Sequence, residues 1–334
     1  MNIYHQLSDF KKLKNAVVTI GTFDGVHFGH QKIVKRLCEL AKSSGGESVI
    51  LTFFPHPRMI IDPENQDLKM INTIKEKAEI LANLGVDHLI ITPFTRDFSN
   101  LEPSAYIKDI LVDTIGTKQI IVGYDHRFGK DRKGGMAELV AFSKVYNYSI
   151  EEIPEQDIND VAVSSTKIRL ALLNGDVSLA AEYLGYHFSI NGPVIKGDKI
   201  GRTIGFPTAN IFVEETYKLI PSDGIYAVTV EMDEGGKAEG TKVQGRNHIP
   251  STLPPSTFKG MAYIGQRPTI NGMTRNIEVN IFDFNREIYG QSIKMNFLKF
   301  LRHDVKFTGL ETLTQQLHQD KIDTLNFFAS IGKA

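Results

Sequence analysis

The residues with the clearest capacity for chemistry lie in a glycine-rich run close to the N-terminus. Gly21–His30, with the sequence G-T-F-D-G-V-H-F-G-H, follows a short apolar segment and precedes an amphipathic one. Backbone amides and the helix dipole favour an anion at such a strand-to-helix junction. The sequence has no Walker A motif, so His27, His30 and the amides would have to hold a triphosphate. The pattern predicts nucleotidyl transfer, in which both imidazoles act on the bridging and leaving phosphate oxygens.

Two other interpretations of this run stay open. The histidines could simply begin a helix with polar residues, or they could belong to a metal site, although no third ligand of the usual kinds lies nearby. Nucleotidyl transfer is favoured because the run lies between a predicted strand and a predicted helix. Its small residues Gly21, Gly25 and Gly29 would also let a ligand approach the backbone.

Length and composition indicate a globular protein of two domains. The chain has 334 residues, more than the ~250 at which single cores usually stop growing, and 41% of them are hydrophobic and 23% charged. The 38 basic and 39 acidic side chains nearly cancel, so the overall charge gives no reason to expect a nucleic acid partner. Any phosphate binding must therefore be local.

The sequence also predicts a cytoplasmic protein. Its single cysteine, Cys38, cannot form an internal disulfide and lies on the apolar face of a predicted helix. Residues 1–14 are polar and lack the apolar core of a secretory signal, and no segment approaches the ~18 apolar residues of a membrane span. We expect no membrane partner, and the sequence indicates no particular oligomeric state.

Periodicity divides the chain into two halves of different architecture. In the first half, apolar runs alternate with helical patterns, which predicts an α/β Rossmann-like domain whose parallel sheet binds ligands beyond the carboxyl ends of its strands. The predicted strands are Ala16–Ile20, Ser48–Phe54, His88–Ile91 and Lys118–Val122. The predicted helices are His30–Lys42, Thr73–Asn83, Pro103–Leu111 and Gly135–Val145, followed by two short ones within Val163–Leu184.

The second half is predicted as an antiparallel β-barrel with a C-terminal helix. Strands of period 2, separated by turn residues, are predicted at Gly224–Val230, Gly260–Ile264, Ile277–Phe284 and Ser292–Phe297. Glu231–Lys259, rich in Gly, Ser, Thr and Pro, is predicted as a long hairpin loop. The closing helix, Gly309–Phe327, is predicted to cover the barrel with one apolar face formed by Leu310, Leu313, Leu317, Ile322 and Leu325.

The run Gly21–His30 resembles the ATP site of the bacterial bifunctional riboflavin kinase/FAD synthetase family, a branch of the H-x-G-H nucleotidyltransferases. Three further segments resemble motifs of that family: Leu51–Pro57 (T-F-x-P-H-P), Gly123–Gly134 (G-x-D-F-x-F-G-x-x-R-x-G) and Val163–Arg169 (S-S-T-x-I-R). Taken alone, these segments would be a proline turn, a solvated basic loop and an ordinary helix cap.

This resemblance implies roles for individual residues of the first half. It implies that His27 and His30 are catalytic and that Phe53 and Pro57 contact the flavin. A guanidinium binds phosphate oxygens through a fixed fork of donors, which favours Arg169 as a phosphate ligand. The residues implied to bind the nucleotide and its phosphates are Gly21, Phe23, Asp24, Gly25, Gly29, Asp125, Arg132, Ser165, Thr166 and Arg169.

Gly201–Asn210 resembles the riboflavin kinase signature of the same family, whose most specific part is the string P-T-A-N. The resemblance implies that Thr208 and Asn210 hold Mg²⁺ together with the nucleotide phosphates, through the oxygen ligands that this ion prefers. Manganese takes similar ligands, so the sequence does not distinguish the two ions. The resemblance also implies flavin binding by Arg302. It implies nucleotide binding by Gly201, Arg202, Gly205 and Pro207.

Glu278 occupies the position of the family's catalytic glutamate, which implies that it accepts the proton of the terminal ribityl hydroxyl. The alternation of its strand alone would make it an outward-facing surface residue. The chain departs from the family's common residues at three positions. Lys167 stands where arginine is frequent, and Lys196 and Asn280 stand where histidine is frequent.

The sequence therefore predicts an enzyme that uses ATP and Mg²⁺ to phosphorylate riboflavin to FMN and then to adenylylate FMN to FAD, releasing pyrophosphate. Residues 1–184 would form the FMN adenylyltransferase domain and residues 185–334 the riboflavin kinase domain. The expected partners are the small molecules riboflavin, FMN and ATP. The alternatives are a chain with one working site, a flavin- or nucleotide-binding protein without turnover, and a different acceptor at the first site.

Overall fold

The computed structural model describes residues 1–62, 64, 68–154, 163–197, 200–232, 256–269 and 272–332. Its contacts divide the chain into two compact units, residues 1–167 and 168–334. Each unit has its own sheet and its own buried hydrophobic residues. Most of the predicted hairpin loop Glu231–Lys259 lies outside the described residues.

The first unit contains a parallel sheet of six strands in the order β1-β4-β3-β2-β5-β6. All neighbouring strands run parallel. The four predicted strands are present as β2 to β5, and two further strands form the edges. In chain order, β1 to β6 are Asn2–Tyr4, Ala16–Ile20, Glu47–Phe54, His88–Pro93, Thr117–Gly123 and Ser149–Ile153.

Helices connect these strands. The predicted helix Pro103–Leu111 is one α-helical turn followed by a π-helix over Tyr106–Ile115. The α-helices are Phe28–Ser44 (α1), Pro57–Ile61 (α2), Ile74–Asn83 (α3), Arg96–Ser99 (α4), Pro103–Ala105 (α5) and Met136–Tyr146 (α6). Short 3₁₀ turns cover Leu7–Asp9 and Lys130–Arg132.

Alternate residues of the central strands pack into two separate hydrophobic clusters. Val18 belongs to one cluster with Leu111 of the π-helix, and Val17 belongs to the other with Leu37 of α1. Because both faces of the sheet are covered, its strands are continuous apolar runs rather than alternating ones. Cys38 is half-buried against the second cluster.

The second unit contains a closed barrel of six strands in the order β10-β11-β8-β7-β12-β9, and its pairs are antiparallel. Closure leaves the sheet without edge strands. The predicted fold class, a parallel α/β domain followed by an antiparallel barrel and a C-terminal helix, is confirmed. In chain order, β7 to β12 are Ser189–Ile195, Ala209–Ile211, Gly224–Met232, Ser256–Thr269, Gly272–Ile281 and Ser292–Arg302.

The described helices near the barrel in the chain are Ser165–Leu173 (α7), Val177–Leu184 (α8), Ile200–Thr203 (α9) and Leu310–Ile331 (α10). The first of them crosses the division between the units. α10 packs against β9, β10 and β12 of the barrel. The predicted closing helix is therefore present and extends four residues beyond its predicted end.

The predicted apolar face of α10 is partly wrong. Leu310, Ile322 and Leu325 are 59%, 51% and 43% exposed. Successive residues of an α-helix are rotated by about 100°, so residues 322 and 325 lie off the stripe that continues from residues 313 and 317. That stripe instead continues through three buried residues, Asp320, Thr324 and Phe328.

Candidate functional site

Gly21–His30 lies at the junction of β2 and α1, as predicted: residues 21–27 form the loop and residues 28–30 begin the helix. β2 lies between β3 and β5, and the chain passes through β3 and β4 before it returns to β5. The strand order therefore changes direction between β2 and β5, which is where open α/β sheets bind ligands beyond their carboxyl ends. The first amides of α1 lie at this edge, and the N-cap residue His27 supplies no side-chain cap for them.

His27 and His30 form a stacked pair, with ring centroids 3.7 Å apart and ring planes 18° from parallel. Burial lowers the pKa of His27 to about 4. Burial also lowers the pKa of His30 well below its usual value, and the charges of His27 and Lys77 act in the same direction. Both imidazoles are therefore neutral at pH 7, and each carries one N–H that can donate to a phosphate oxygen.

The pair also has unused hydrogen-bonding capacity. The Nδ1 atoms of His27 and His30 are buried and have no hydrogen-bond partner among the described residues. Buried polar atoms of this kind are rare and are frequently explained by a missing ligand or water. In the described part of the chain, no cluster of three His, Cys, Asp or Glu side chains could hold a metal ion.

The backbone of the loop is held in conformations that most residues avoid. Phe23 and Val26 have φ angles of 47° and 34°, and Gly25 has a φ of 84°. Left-handed conformations cost free energy for residues with a side chain and cluster at binding sites, whereas glycine adopts them freely. The buried Phe23 ring packs edge-on against His30, with 5.1 Å between the ring centroids. Phe23 therefore packs against one ring of the histidine pair.

Buried hydrogen bonds hold the loop in this shape. The Asp24 carboxylate is 1% exposed and accepts hydrogen bonds from the amides of Ile71 and Asn72, at 3.0 and 3.5 Å. Ser165 Oγ donates to the Asp24 carbonyl at 2.9 Å. Two side chains that the sequence predicts as phosphate ligands, Asp24 and Ser165, thus contact the protein and support the loop.

Lys77 is a residue of this site that the sequence analysis missed. It lies on α3, and its ammonium donates to the carbonyl of Thr22 at 2.7 Å. Thr52 Oγ1 donates to the same carbonyl at 3.2 Å. Burial lowers the pKa of Lys77 to about 8. The available signal was a lysine on the buried face of a helix that also carries Ala78 and Leu81.

The predicted nucleotide loop after β5 lies at the same edge of the sheet. The amide and carbonyl of Phe128 pair with the carbonyl and amide of Gly134, at 3.0 and 2.9 Å, which closes the loop. Asp125 and Arg132 are exposed on it. His126, at the position where the resembled motif has phenylalanine, has a buried Nε2 without a hydrogen-bond partner among the described residues.

Phe53, the penultimate residue of β3, is the first member of a row of aromatic side chains. Its ring centroid lies 5.5 Å from the centroids of both Phe94 and Phe98. The row continues to Tyr106 and Phe128, with successive centroid distances of 5.9 and 5.1 Å. We call these residues the aromatic row: Phe53, Phe94, Phe98, Tyr106 and Phe128. Pro57, predicted to contact the flavin, is half-buried as the first residue of α2.

The predicted residues of the Val163–Arg169 motif have different environments. Ser164 Oγ accepts a hydrogen bond from the Lys167 amide at 3.3 Å and so caps α7. Thr166 is exposed. Arg169 lies beyond the division and belongs to the second unit by its contacts.

Three predicted residues of the barrel lie together. Thr208 Oγ1 donates to Glu278 Oε2 at 3.0 Å, and Asn276 Nδ2 donates to Glu278 Oε1. Asn210 of β8 is the registered partner of Glu278 on β11 and is 8% exposed. Glu278 is half-buried and lies on the face of β11 opposite the buried Ile277 and Val279, so it keeps the outward position that alternation predicts and is hydrogen-bonded there.

The segment before Thr208 forms a tight loop. The Phe206 amide donates to the Gly201 carbonyl at 2.8 Å, and Gly205 has a left-handed φ of 85°. Asn280 Nδ2 donates to the Pro207 carbonyl at 2.7 Å. The asparagine that replaces the frequent histidine thus holds the start of the P-T-A-N string, while the predicted nucleotide ligand Arg202 is exposed.

Arg302, predicted to contact the flavin, forms a bidentate ion pair with Asp320 of α10. Its Nε and Nη2 donate to Oδ1 and Oδ2 of Asp320 at 2.7 and 2.6 Å, and its Nη1 donates to the His303 carbonyl at 2.9 Å. The Asp320 side chain is 2% exposed. This contact explains why an aspartate lies on the buried stripe of α10.

Arg302→Met is expected to destabilise the second unit by about 3 kcal/mol, because it leaves the buried Asp320 carboxylate unpaired. Chemical denaturation, monitored by circular dichroism, would measure this decrease in the free energy of unfolding.

The double variant Arg302→Met/Asp320→Leu should recover most of the lost stability, since apolar replacement of a buried pair is often neutral. A double variant that recovers stability but phosphorylates no riboflavin would support flavin binding by Arg302, whereas recovery of both would contradict it.

Two family models match the chain: FAD synthetase over residues 9–167 and riboflavin kinase over residues 184–328. The bifunctional riboflavin kinase/FMN adenylyltransferase of Listeria monocytogenes is 37% identical over 318 residues, which cover 95% of this chain and 94% of the relative. The chain belongs to the bifunctional riboflavin kinase/FMN adenylyltransferase family. The member from Bacillus subtilis is 33% identical over 334 residues and covers 98% of this chain and 97% of its own.

A solved structure resembles the chain along its length. It is a crystal structure described as a macrolide-efflux protein from Streptococcus pneumoniae, with 29% identity, a TM-score of 0.82 and coverage of 97% of this chain and 98% of that one. Macrolide efflux describes that protein and is not a property assigned to the present chain. Within the described residues of the present chain, no helix has the length and apolar character to cross a membrane.

The predicted family, the two predicted enzyme activities and the flavin and ATP substrates are confirmed. The cytoplasmic location and the expected absence of nucleic acid and membrane partners stay predictions, as does the domain boundary after residue 184. The contacts divide the chain after Lys167, and the riboflavin kinase model begins at Leu184.

Proposed function

We propose that residues 1–184 adenylylate FMN at the histidine pair and that residues 185–334 phosphorylate riboflavin at Glu278. The observation that carries the proposal is the neutral, stacked pair of His27 and His30 at the uncapped start of α1. A second polar site, with a carboxylate and two neutral oxygen donors, lies in the barrel. Each site suits one of the two reactions.

In the adenylyl transfer, a phosphate oxygen of FMN attacks the α-phosphorus of ATP. A new P–O bond forms, the bond to the β-phosphate breaks, and pyrophosphate leaves with the electron pair. The attacking phosphate oxygen is already ionised, so neither a protein nucleophile nor a general base is needed, and the protein contributes position and charge stabilisation. His27, His30 and the first amides of α1 donate hydrogen bonds to the oxygens on which negative charge grows.

The flavin of this first reaction is proposed to lie against Phe53 and Pro57. Both residues lie at the carboxyl edge of the parallel sheet, where β3 ends and α2 begins. The two half-buried members of the aromatic row, Phe53 and Phe98, offer apolar ring surface for the isoalloxazine system. Gly21, Gly25 and Gly29 allow ATP to approach the backbone, and Asp125 and Arg132 contact it from the loop after β5.

In the kinase reaction, the terminal ribityl hydroxyl of riboflavin attacks the γ-phosphorus of ATP, and ADP leaves. Glu278 accepts the hydroxyl proton. Its two oxygens are held by Thr208 and Asn276, which fixes the direction in which the carboxylate points. The loop formed by Gly201, Arg202, Gly205 and Pro207 is proposed to bind the nucleotide.

Mg²⁺ fits the donors of the barrel site. The Thr208 hydroxyl and the Asn210 amide carbonyl are neutral oxygen ligands, and the Glu278 carboxylate lies within hydrogen-bond distance of Thr208. Magnesium binds in this manner, with few protein ligands and further oxygens from phosphate. When bound, the ion neutralises charge on the phosphates during transfer.

The pure protein, incubated with riboflavin, ATP and MgCl₂, is expected to yield FMN and then FAD, and with FMN in place of riboflavin it should yield FAD. Chromatography of the flavins distinguishes the products. EDTA added before ATP should stop both reactions. FAD from FMN alone would contradict the proposed kinase site, and no product from either flavin would favour a binding protein.

A further inference from the structure

Lys77 carries a buried ammonium group for which the two proposed reactions give no role. The residue is 1% exposed, although lysine is rarely buried unless its charge is paired. An ammonium has three N–H donors, and the described residues provide one hydrogen-bond acceptor, the Thr22 carbonyl at 2.7 Å. Burial opposes the ammonium form of Lys77, and the charge of the Asp24 carboxylate favours it.

The contact of Lys77 is with the phosphate-binding loop itself. Thr22 immediately precedes the left-handed residue Phe23, so its carbonyl lies where the backbone turns away from β2. α3 is fixed at its start by a capping box, in which Thr73 Oγ1 accepts from the Glu76 amide and the Glu76 carboxylate accepts from the Thr73 amide. Lys77 therefore extends from a rigid element to a strained loop.

The positive charge of Lys77 also acts on the histidine pair. It contributes to the lowered pKa of His30, which keeps that imidazole neutral. The charge of Asp24 in the loop acts on Lys77. His27, the N-cap of α1, acts on His30 together with Lys77. On its own helix, the neighbouring Glu76 carboxylate accepts from the Thr73 amide. A preorganised positive charge beside a phosphate site stabilises the charge that develops on the leaving group.

We propose that Lys77 is a positioning residue for adenylyl transfer: it holds the Thr22 carbonyl and thereby the H-x-G-H loop, and it places a buried positive charge beside His30. This inference rests on the proposed function of the first domain. It adds α3 to the elements that build the site, and it assigns the ammonium a function in catalysis rather than in stability alone.

Lys77→Met keeps the length of the side chain and removes its charge and donors. In the full chain it is expected to lower kcat/KM for FAD formation from FMN by about 10²-fold, a typical loss for one preorganised electrostatic contact, and to leave FMN formation from riboflavin unchanged. Thr52→Val is the matched comparison. It removes the other hydrogen bond to Thr22 but keeps the ammonium, so its loss should be several times smaller. A Lys77→Met variant as active as Thr52→Val would overturn the proposal.

A pH profile separates a catalytic contribution from a structural one. Because the pKa of Lys77 is lowered to about 8, the ammonium loses its proton as pH rises through that value. The kcat/KM of the wild-type chain for FAD formation, which reports the free enzyme, should therefore fall between pH 7 and pH 9. Thr52→Val should keep this fall and Lys77→Met should lack it.

The pH profile of the wild-type chain tests the proposed role of Lys77 even if Lys77→Met fails to fold. A flat wild-type profile over that range, or the same fall in Lys77→Met, would contradict the inference while leaving the proposed function intact. Failure of the wild-type chain to make FAD from FMN would contradict both.

Discussion

His30→Ala is expected to lower kcat for FAD formation from FMN by about 10²- to 10³-fold, the usual effect of removing one donor that stabilises transition-state charge. The pKa of His30 is well below its usual value, so the half-buried imidazole is neutral, and its ring stacks on His27 at 3.7 Å. Its contribution is therefore a hydrogen bond rather than a full positive charge. Riboflavin phosphorylation should be unchanged, because Glu278 and its neighbours lie in the other unit. Chromatography of flavins formed from FMN and from riboflavin measures both rates.

A second substitution at the same position tests whether hydrogen bonding is the function of His30. His30→Asn keeps an N–H donor on a shorter side chain and should lose less activity than His30→Ala. His5→Ala replaces an exposed histidine of the same unit and serves as the matched control. If His30→Ala lost both activities, the two sites would not be independent. If His30→Asn were no better than His30→Ala, another property of the imidazole would be required.

Hydrophobic periodicity predicted most of the fold because each long element has a local pattern. β2 has the predicted limits, Ala16–Ile20, since its five residues are all buried. The edge strand β1 was missed because the three residues Asn2–Tyr4 are too few to form a pattern. The buried position of Asp320 on α10 was not predicted, because it depends on the ion pair of that carboxylate with Arg302. A partner eighteen residues away leaves no trace in helical periodicity.

The candidate site was predictable where it is continuous in the chain. Gly21–His30 contains both histidines, so its motif indicated nucleotidyl transfer without knowledge of the tertiary structure. Lys77 and Thr52 come from other elements and meet the loop through the topology of the sheet. The motif also did not predict the direction in which a side chain points. Asp24 fits a phosphate-binding pattern, yet its carboxylate accepts hydrogen bonds from the Ile71 amide.

Glu278→Gln is expected to lower kcat for riboflavin phosphorylation by about 10²- to 10⁴-fold, the usual contribution of a general base. Glutamine has nearly the same shape, but its amide cannot accept the proton of the ribityl hydroxyl. Conversion of FMN to FAD should be unchanged in the same preparation. Glu287→Gln, at an exposed position of the same unit, is the matched control. Coupled detection of ADP and chromatography of FMN measure the reaction.

The kinetic constants distinguish a base from a residue that only orders its neighbours. Glu278 holds Thr208 and Asn276 by hydrogen bonds, so its replacement could also disturb the proposed magnesium ligands. Loss of a base lowers kcat and kcat/KM equally, because the interaction exists only in the transition state. A loss through the metal site would instead raise the Mg²⁺ concentration needed for half-maximal rate, and excess MgCl₂ would restore activity. Activity near the wild-type level at ordinary Mg²⁺ would show that the proton is taken by another group.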